Sequence, residues 1–248
     1  MNKDEYLKKQ YVIEFIKWIT HKHDSLLFNS YKSYIWNGKK FNECQKELES
    51  IKIKLKKALE DEDEKETKDE CIKILVWGGV KYSNENYIKN NPDIISELKF
   101  IKTRIDPCNF DINNQSIIEI KTNSGFSKIY SILLGNFIIY DSRVAAAICY
   151  FIRLFCEEKE IEIPEELLFE IPKGREMKNR NPSNKKYKFK EFDSNNYKHL
   201  KYNIKASWLL YGILEKTTKF NEENNSLRAL EAAFFMIGYD TLSLGNNG

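Results

Sequence analysis

Residues 123–144 read Asn-Ser-Gly-Phe-Ser-Lys-Ile-Tyr-Ser-Ile-Leu-Leu-Gly-Asn-Phe-Ile-Ile-Tyr-Asp-Ser-Arg-Val. The order is a polar start, an apolar helical run, a Gly-Asn stop, an apolar extended return and an acidic start to a second helix. Asn123 or Ser124 can cap the first helix, and Ile129, Ile132 and Leu133 recur at the spacing of one apolar helical face. Gly135-Asn136 ends it. From Lys128 to Gly135 the helix climbs roughly 10 Å, and the five residues up to Asp141 can travel back up to about 16 Å. The return is long enough to place Asp141 beside Lys128. Beyond Asp141, the residues Val144, Ile148, Phe151 and Phe155 mark a second amphipathic helix, and Ala145 to Ala147 let a neighbour approach closely.

A carboxylate at a helix N-cap accepts backbone N–H bonds and feels the positive end of the dipole, so it stays ionised and can stabilise positive charge developing on a sugar. Lys128 is the candidate nucleophile. A free lysine amine has a pKa of about 10.4, so the role requires a fall to about 7 or 8, which desolvation in a cleft and a nearby helix N-terminus both favour. The same pattern also describes an ordinary N-cap aspartate with a solvent-facing lysine in the preceding helix.

Residues 124–144 resemble the helix-hairpin-helix and catalytic-aspartate signature of the base-excision DNA glycosylase superfamily, closest to its 8-oxoguanine glycosylase branch. Lys128 falls on the family's lysine position and Asp141 on its aspartate position. The resemblance implies that Lys128 attacks the sugar C1′ or assists departure of the base, with Asp141 supporting the charge. It also implies an all-α, two-lobed fold with few or no strands. The family turn is usually Gly-x-Gly and grips a DNA phosphate through its amides; here Ser124 and Phe126 flank Gly125 alone, and the lysine-to-aspartate connection is shorter. Ser124, Gly125 and Ser127 are the turn's candidate DNA contacts.

At 248 residues, 42% of them hydrophobic, the chain can bury one substantial core or two lobes sharing a cleft. The expectation is one unit in two lobes: about residues 75–157 form the hairpin lobe, and 1–74 with 158–248 the other. A net charge of +3 conceals segregation, because residues 60–70 are dominated by acids whereas residues 173–190 carry Lys173, Arg175, Lys178, Arg180, Lys185, Lys186, Lys188 and Lys190 against the single acid Glu176. The basic stretch, poor in helical pattern and containing Pro172, Gly174 and Pro182, reads as a long loop or short hairpin facing DNA. A solvated basic loop, or an edge strand with Tyr187 and Phe189 alternating with lysines, fits it too. Arg143, just inside the helix behind Asp141, is a separate phosphate candidate.

The five cysteines, Cys44, Cys71, Cys108, Cys149 and Cys156, are scattered without a Cys-x-x-Cys pair, so neither a disulfide framework nor a zinc ribbon is expected. His21 and His23 beside Asp24 read as polar surface rather than a metal site. No metal and no cofactor are expected. No stretch approaches the length of a membrane span and the N-terminus lacks an apolar signal core, so a cytoplasmic protein with no membrane partner is expected.

An enzyme acting on a base within a duplex flips it into a flat aromatic slot. Trp77 beside Gly78-Gly79, and Trp36 at the end of the aromatic run from Tyr31, are the slot candidates, although aromatics also fill helical cores. The function expected is a monomeric glycosylase acting on double-stranded DNA with a damaged or modified base. It either repairs oxidised purines or excises modified bases of phage DNA, and the rival is a non-catalytic helical DNA-binding module.

Overall fold

The computed structural model describes residues 1–82, 84–105, 110–113, 120–174, 180–221, 223 and 225–239. Arg175, Lys178 and Cys108 lie outside the described residues. The fold is all-α. Ten helices run α1 (Lys3–Leu7), α2 (Gln10–Lys32), α3 (Phe41–Glu60), α4 (Glu64–Trp77), α5 (Glu85–Asn90), α6 (Ile94–Arg104), α7 (Phe126–Leu133), α8 (Ser142–Lys159), α9 (Asn196–Leu214) and α10 (Ser226–Ile237). Two strand pairs of two residues each accompany them among the described residues: β1 (Ile35–Trp36) antiparallel to β2 (Lys39–Lys40), and β3 (Ile171–Pro172) parallel to β4 (Glu191–Phe192).

The helices group around two centres. α2 lies along α10, with α8 and α9 packed against both, while α4 is contacted by α3, α5, α6 and α7, and α3 also meets α7. The lobe boundaries drawn from the sequence, near residues 75 and 157, both fall inside helices, in α4 and α8. The reason is in the side chains of α8: Val144 to Phe151, the three alanines included, are buried without a break, so this helix is central rather than peripheral. One continuous apolar cluster joins both groups.

Several sequence patterns have local explanations in the structure. The acidic run forms the turn before α4 and its first part, where Asp63 caps the helix by accepting from the Glu66 N–H at 2.9 Å. The apolar residues 71–77 are the last turns of that helix rather than a separate segment. Between β1 and β2, Asn37 and Gly38 both take positive φ, 51° and 75°, as a two-residue hairpin turn of this hand demands. In the basic loop Tyr187 and Phe189 are buried while Lys185, Lys186, Lys188 and Lys190 are exposed, but only residues 191–192 pair as a strand.

The return after α7 decides where Asp141 goes. Residues 137–140 are buried and belong to no strand, so their polar backbone groups need partners from elsewhere. Side chains of α9 and α10 supply them. The Ile138 N–H donates to Ser207 Oγ at 3.1 Å, Asn203 Nδ2 donates to the Ile138 carbonyl at 2.8 Å, and the Ile139 N–H donates to Glu231 Oε2 at 2.9 Å. The Tyr140 hydroxyl adds a bond to the Glu170 carbonyl at 2.7 Å. Replacing Asn203 with leucine orphans the buried Ile138 carbonyl, and the expected loss of stability is about 1–3 kcal/mol, read as a lower midpoint in urea denaturation at unchanged m-value.

Candidate active site

Lys128 and Asp141 meet. Asp141 is the N-cap of α8, with Oδ1 accepting from the Arg143 and Val144 N–H groups at 3.0 and 3.1 Å, and its Oδ2 stands 3.9 Å from Lys128 Nζ. The amine donates to the Ser124 carbonyl at 2.9 Å. Lys128 is buried, whereas the Asp141 side chain keeps 16% of its surface exposed. Burial pushes the Lys128 pKa below the ordinary lysine value; Asp141 and Glu231 pull it back up, and the cations Arg228 and Arg143 push it down again.

The start of α7 is held by a side-chain network that the sequence did not reveal. Asn123 Oδ1 accepts from the Gly125 and Phe126 N–H groups at 2.8 and 3.1 Å, and its Nδ2 donates to Asn84 Oδ1 at 2.8 Å. The Gly125 amide is therefore committed within the protein. Its Cα lies against Asn84, whose Cγ would be 2.9 Å from a Cβ at this position. Ser127 is fully buried and its hydroxyl donates to the Ser124 carbonyl at 3.1 Å, so this expected DNA contact belongs to the interior instead. Ser124 itself lines an open groove.

Lys128 and Asp141 sit where two cavities join. On the inner side is a narrow slot of about 30 Å³, walled by Trp36, Trp77, Tyr34, Phe41 and Phe235 and floored by Glu231 with Arg228. On the outer side is an open groove of about 440 Å³, bordered by Ser124, Gly125, Arg143, Lys173 and Arg180. Trp36, Gly78, Lys128 and Asp141 line both.

The two tryptophans singled out in the sequence come together in this slot. Trp36 Nε1 and Asn37 Nδ2 both donate to the Trp77 carbonyl, at 2.7 and 3.1 Å, which fixes the β1–β2 hairpin on the end of α4. The indole rings are 6.4 Å apart at 60°, and Phe235 meets Trp36 edge-on at 5.4 Å. Arg143 lies over three rings, with its guanidinium carbon 5.3 Å from the Trp36 centroid, 4.6 Å from Phe235 and 4.2 Å from Tyr239.

Of the basic loop, Lys173 and Arg180 reach the groove. Lys173 also pairs with Asp193 at 3.0 Å on the surface, while Arg180 is largely buried behind Gly174 and Ser142. Lys185 and Lys186 are exposed but do not line the groove, and Lys186 sits 5.1 Å over the Tyr187 ring.

Glu231 was missed in the sequence. It is buried, accepts from Ile139 and from Arg228, and desolvation raises its pKa, with the Arg228 charge and both hydrogen bonds working against that rise. His199 feels both Lys128 and Asp141, but burial depresses its pKa to about 3, so its imidazole is neutral at physiological pH. Among the described residues, no cluster of three His, Cys, Asp or Glu side chains is placed to hold a metal ion, and no helix is long and apolar enough to cross a membrane.

The chain matches no protein-family model, no curated protein and no solved structure.

Gly78 gives a direct test of how tightly the amine is held. A Cβ there would collide with Lys128 Cδ and stand 2.6 Å from Cε, whereas its own backbone, at φ −78°, tolerates alanine. Gly78→Ala is expected to expel the Lys128 stem toward solvent and raise its pKa toward the free value. Carbon-13 NMR titration of reductively methylated lysines should show the Lys128 resonance, identified by its loss in Lys128→Gln, move to higher pH.

Proposed function

We propose that this protein is a DNA glycosylase in which Lys128 and Asp141 act on a base flipped from duplex DNA. One observation carries the reading: a desolvated amine and a carboxylate, 3.9 Å apart, stand where an aromatic slot opens into a groove edged with Arg143, Lys173 and Arg180. The likeness of residues 124–144 to the glycosylase signature supports it.

The chemistry follows from the placement. The slot, at about 30 Å³, takes a flat ring only once the side chains of Trp36, Trp77 and Phe235 move apart, and the groove takes the sugar-phosphate chain, so C1′ lies at the junction. Asp141 keeps one oxygen on its helix and turns the other to the junction, where it stabilises the oxocarbenium charge as the C1′–N bond breaks and the base leaves with the electron pair. The unprotonated Lys128 amine then bonds to C1′. Ring opening gives a Schiff base whose hydrolysis returns the amine and leaves an abasic site. Desolvation favours the unprotonated amine, and the rate is expected to rise with pH through an acid limb set below the ordinary lysine value. Oxidised purines and modified phage bases are both candidate substrates.

Wild-type protein should generate alkali-sensitive sites in duplex DNA carrying its base. Asp141→Asn should lower their rate by about 10²-fold or more while the circular dichroism melt survives, because this oxygen faces developing charge. Borohydride should trap a covalent protein–DNA adduct with the wild type and none with Lys128→Gln. Full activity in Asp141→Asn, or tight DNA binding without release of any base, contradicts the proposal. For the groove, log K against log salt should flatten by about 0.9 in Lys173→Ala if Lys173 neutralises one phosphate, and an unchanged slope removes it from the interface.

A further inference from the structure

The slot has a second chamber beside it. A cleft of about 290 Å³ is lined by Gln45, Glu49, Lys52, Ser131, Asn225 and Arg228, with Leu48, Ile132 and Gly135. Three helices contribute to both cavities, each through residues about one turn apart, a step of about 5.4 Å along the axis. On α3 the slot residue is Phe41 and the cleft residue Gln45. On α7 they are Lys128 and Ser131, and on α10 Glu231 and Arg228. The cleft therefore lies beside the slot, about one helical turn away on each of the three helices. Arg228 lines both cavities and is held in the partition by donating to Glu231.

The two chambers differ in chemistry. The slot offers ring faces, whereas the cleft offers an amide at Gln45, a carboxylate at Glu49, an ammonium at Lys52 and the polar Asn225, donors and acceptors together. Their mutual contacts are weak: Asn225 Nδ2 reaches Gln45 Oε1 at 3.4 Å, and Lys52 pairs with Glu49 at 3.2 Å near the surface. A ligand can replace both. An unsubstituted base with C1′ at Lys128 and Asp141 fills only the aromatic chamber and leaves these groups unused.

We propose that the cleft is a second subsite, which takes a hydroxyl- or amine-bearing substituent carried on the edge of the flipped base opposite the sugar. The substituent passes Arg228, whose guanidinium moves aside or donates to it. The inference rests on the glycosylase reading and narrows it to bases enlarged by a polar group.

Four duplexes with a single variable base test it: cytosine, 5-hydroxymethylcytosine, glucosylated 5-hydroxymethylcytosine and 8-oxoguanine, with abasic sites quantified under single-turnover conditions. The glucosylated base is expected to be released at least about tenfold faster than the others. Gln45→Leu and the surface change Glu49→Gln should each lower that advantage about five- to tenfold, as loss of one hydrogen bond would, without altering the melt or the rate on any other base released. Release of 8-oxoguanine or a small base with none of the glucosylated one overturns the subsite and leaves the glycosylase reading intact. So does release of the glucosylated base at unchanged rate in both variants, or an equal loss on every base. No release from any of the four duplexes, with no borohydride-trapped adduct, overturns the glycosylase reading and the subsite with it.

Discussion

A buried stretch of backbone without a strand to pair with is the constraint around which this molecule is organised. Residues 137–140 run through the core between α7 and α8, and the polar groups of Ile138 and Ile139 are answered by Ser207, Asn203 and Glu231. Each such bond contributes about 1 kcal/mol net, but an orphaned partner costs about 1–3 kcal/mol, so the segment has essentially one place to lie. That place sets the start of α8 and hence the position of Asp141. A pair thirteen positions apart in sequence thus depends on helices α9 and α10, far along the chain. The same glutamate that fixes Ile139 also floors the slot, which couples the position of the acid to the shape of the cavity.

The charges around the amine come close to opposing one another. Asp141 and Glu231 favour protonated Lys128 while Arg228 and Arg143 disfavour it, and desolvation is the largest influence and decides the direction. Lys205 shows that a depressed amine does not by itself make a site. Burial takes its pKa to about 7, yet it donates to the Leu168 carbonyl at 3.0 Å and lies 4.7 Å over the Phe169 ring, lining neither the slot nor the groove. What distinguishes Lys128 is access through the groove combined with burial of its stem, and Gly78 makes that combination possible by leaving room where a side chain would stand.

Local patterns were legible in the sequence because they are enforced locally. The three- and four-residue spacing of α7 and α8 and the Asp141 cap follow from helix geometry, and chain reach permits the meeting with Lys128, which the bonds from α9 and α10 then fix. The joint use of Trp36 and Trp77 was only half legible. Glycines flagged Trp77, but nothing in the sequence said that the hairpin bearing Trp36 would be hydrogen-bonded to the carbonyl of that residue. Asn123 was legible as one of two candidate caps, with Ser124, whereas Asn84 and Arg228 were hidden because a polar residue at a helix end has many possible roles. Glu231 left a signal: it is the lone acid in the apolar run from Leu227 to Phe235, at the spacing of the buried face. The basic loop misled through charge alone. Its lysines look alike in sequence, yet among the described residues only Lys173, with Arg180, reaches the groove, and burial of Tyr187 and Phe189 turns Lys185, Lys186, Lys188 and Lys190 elsewhere.

Arg143 shows how the fold keeps positive charge at the groove without losing it to the core. It stands in the first turn of α8, where the helix dipole disfavours a cation, and its neighbour Asp141 is occupied in capping that turn. Three aromatic faces offset the dipole, since the guanidinium lies over Trp36, Phe235 and Tyr239. Two of those rings also wall the slot. A base entering the slot would stack against rings already polarised by Arg143, and a phosphate in the groove would meet a guanidinium whose orientation those rings have set. On the glycosylase proposal, one side chain would therefore border both the base in the slot and the phosphate in the groove.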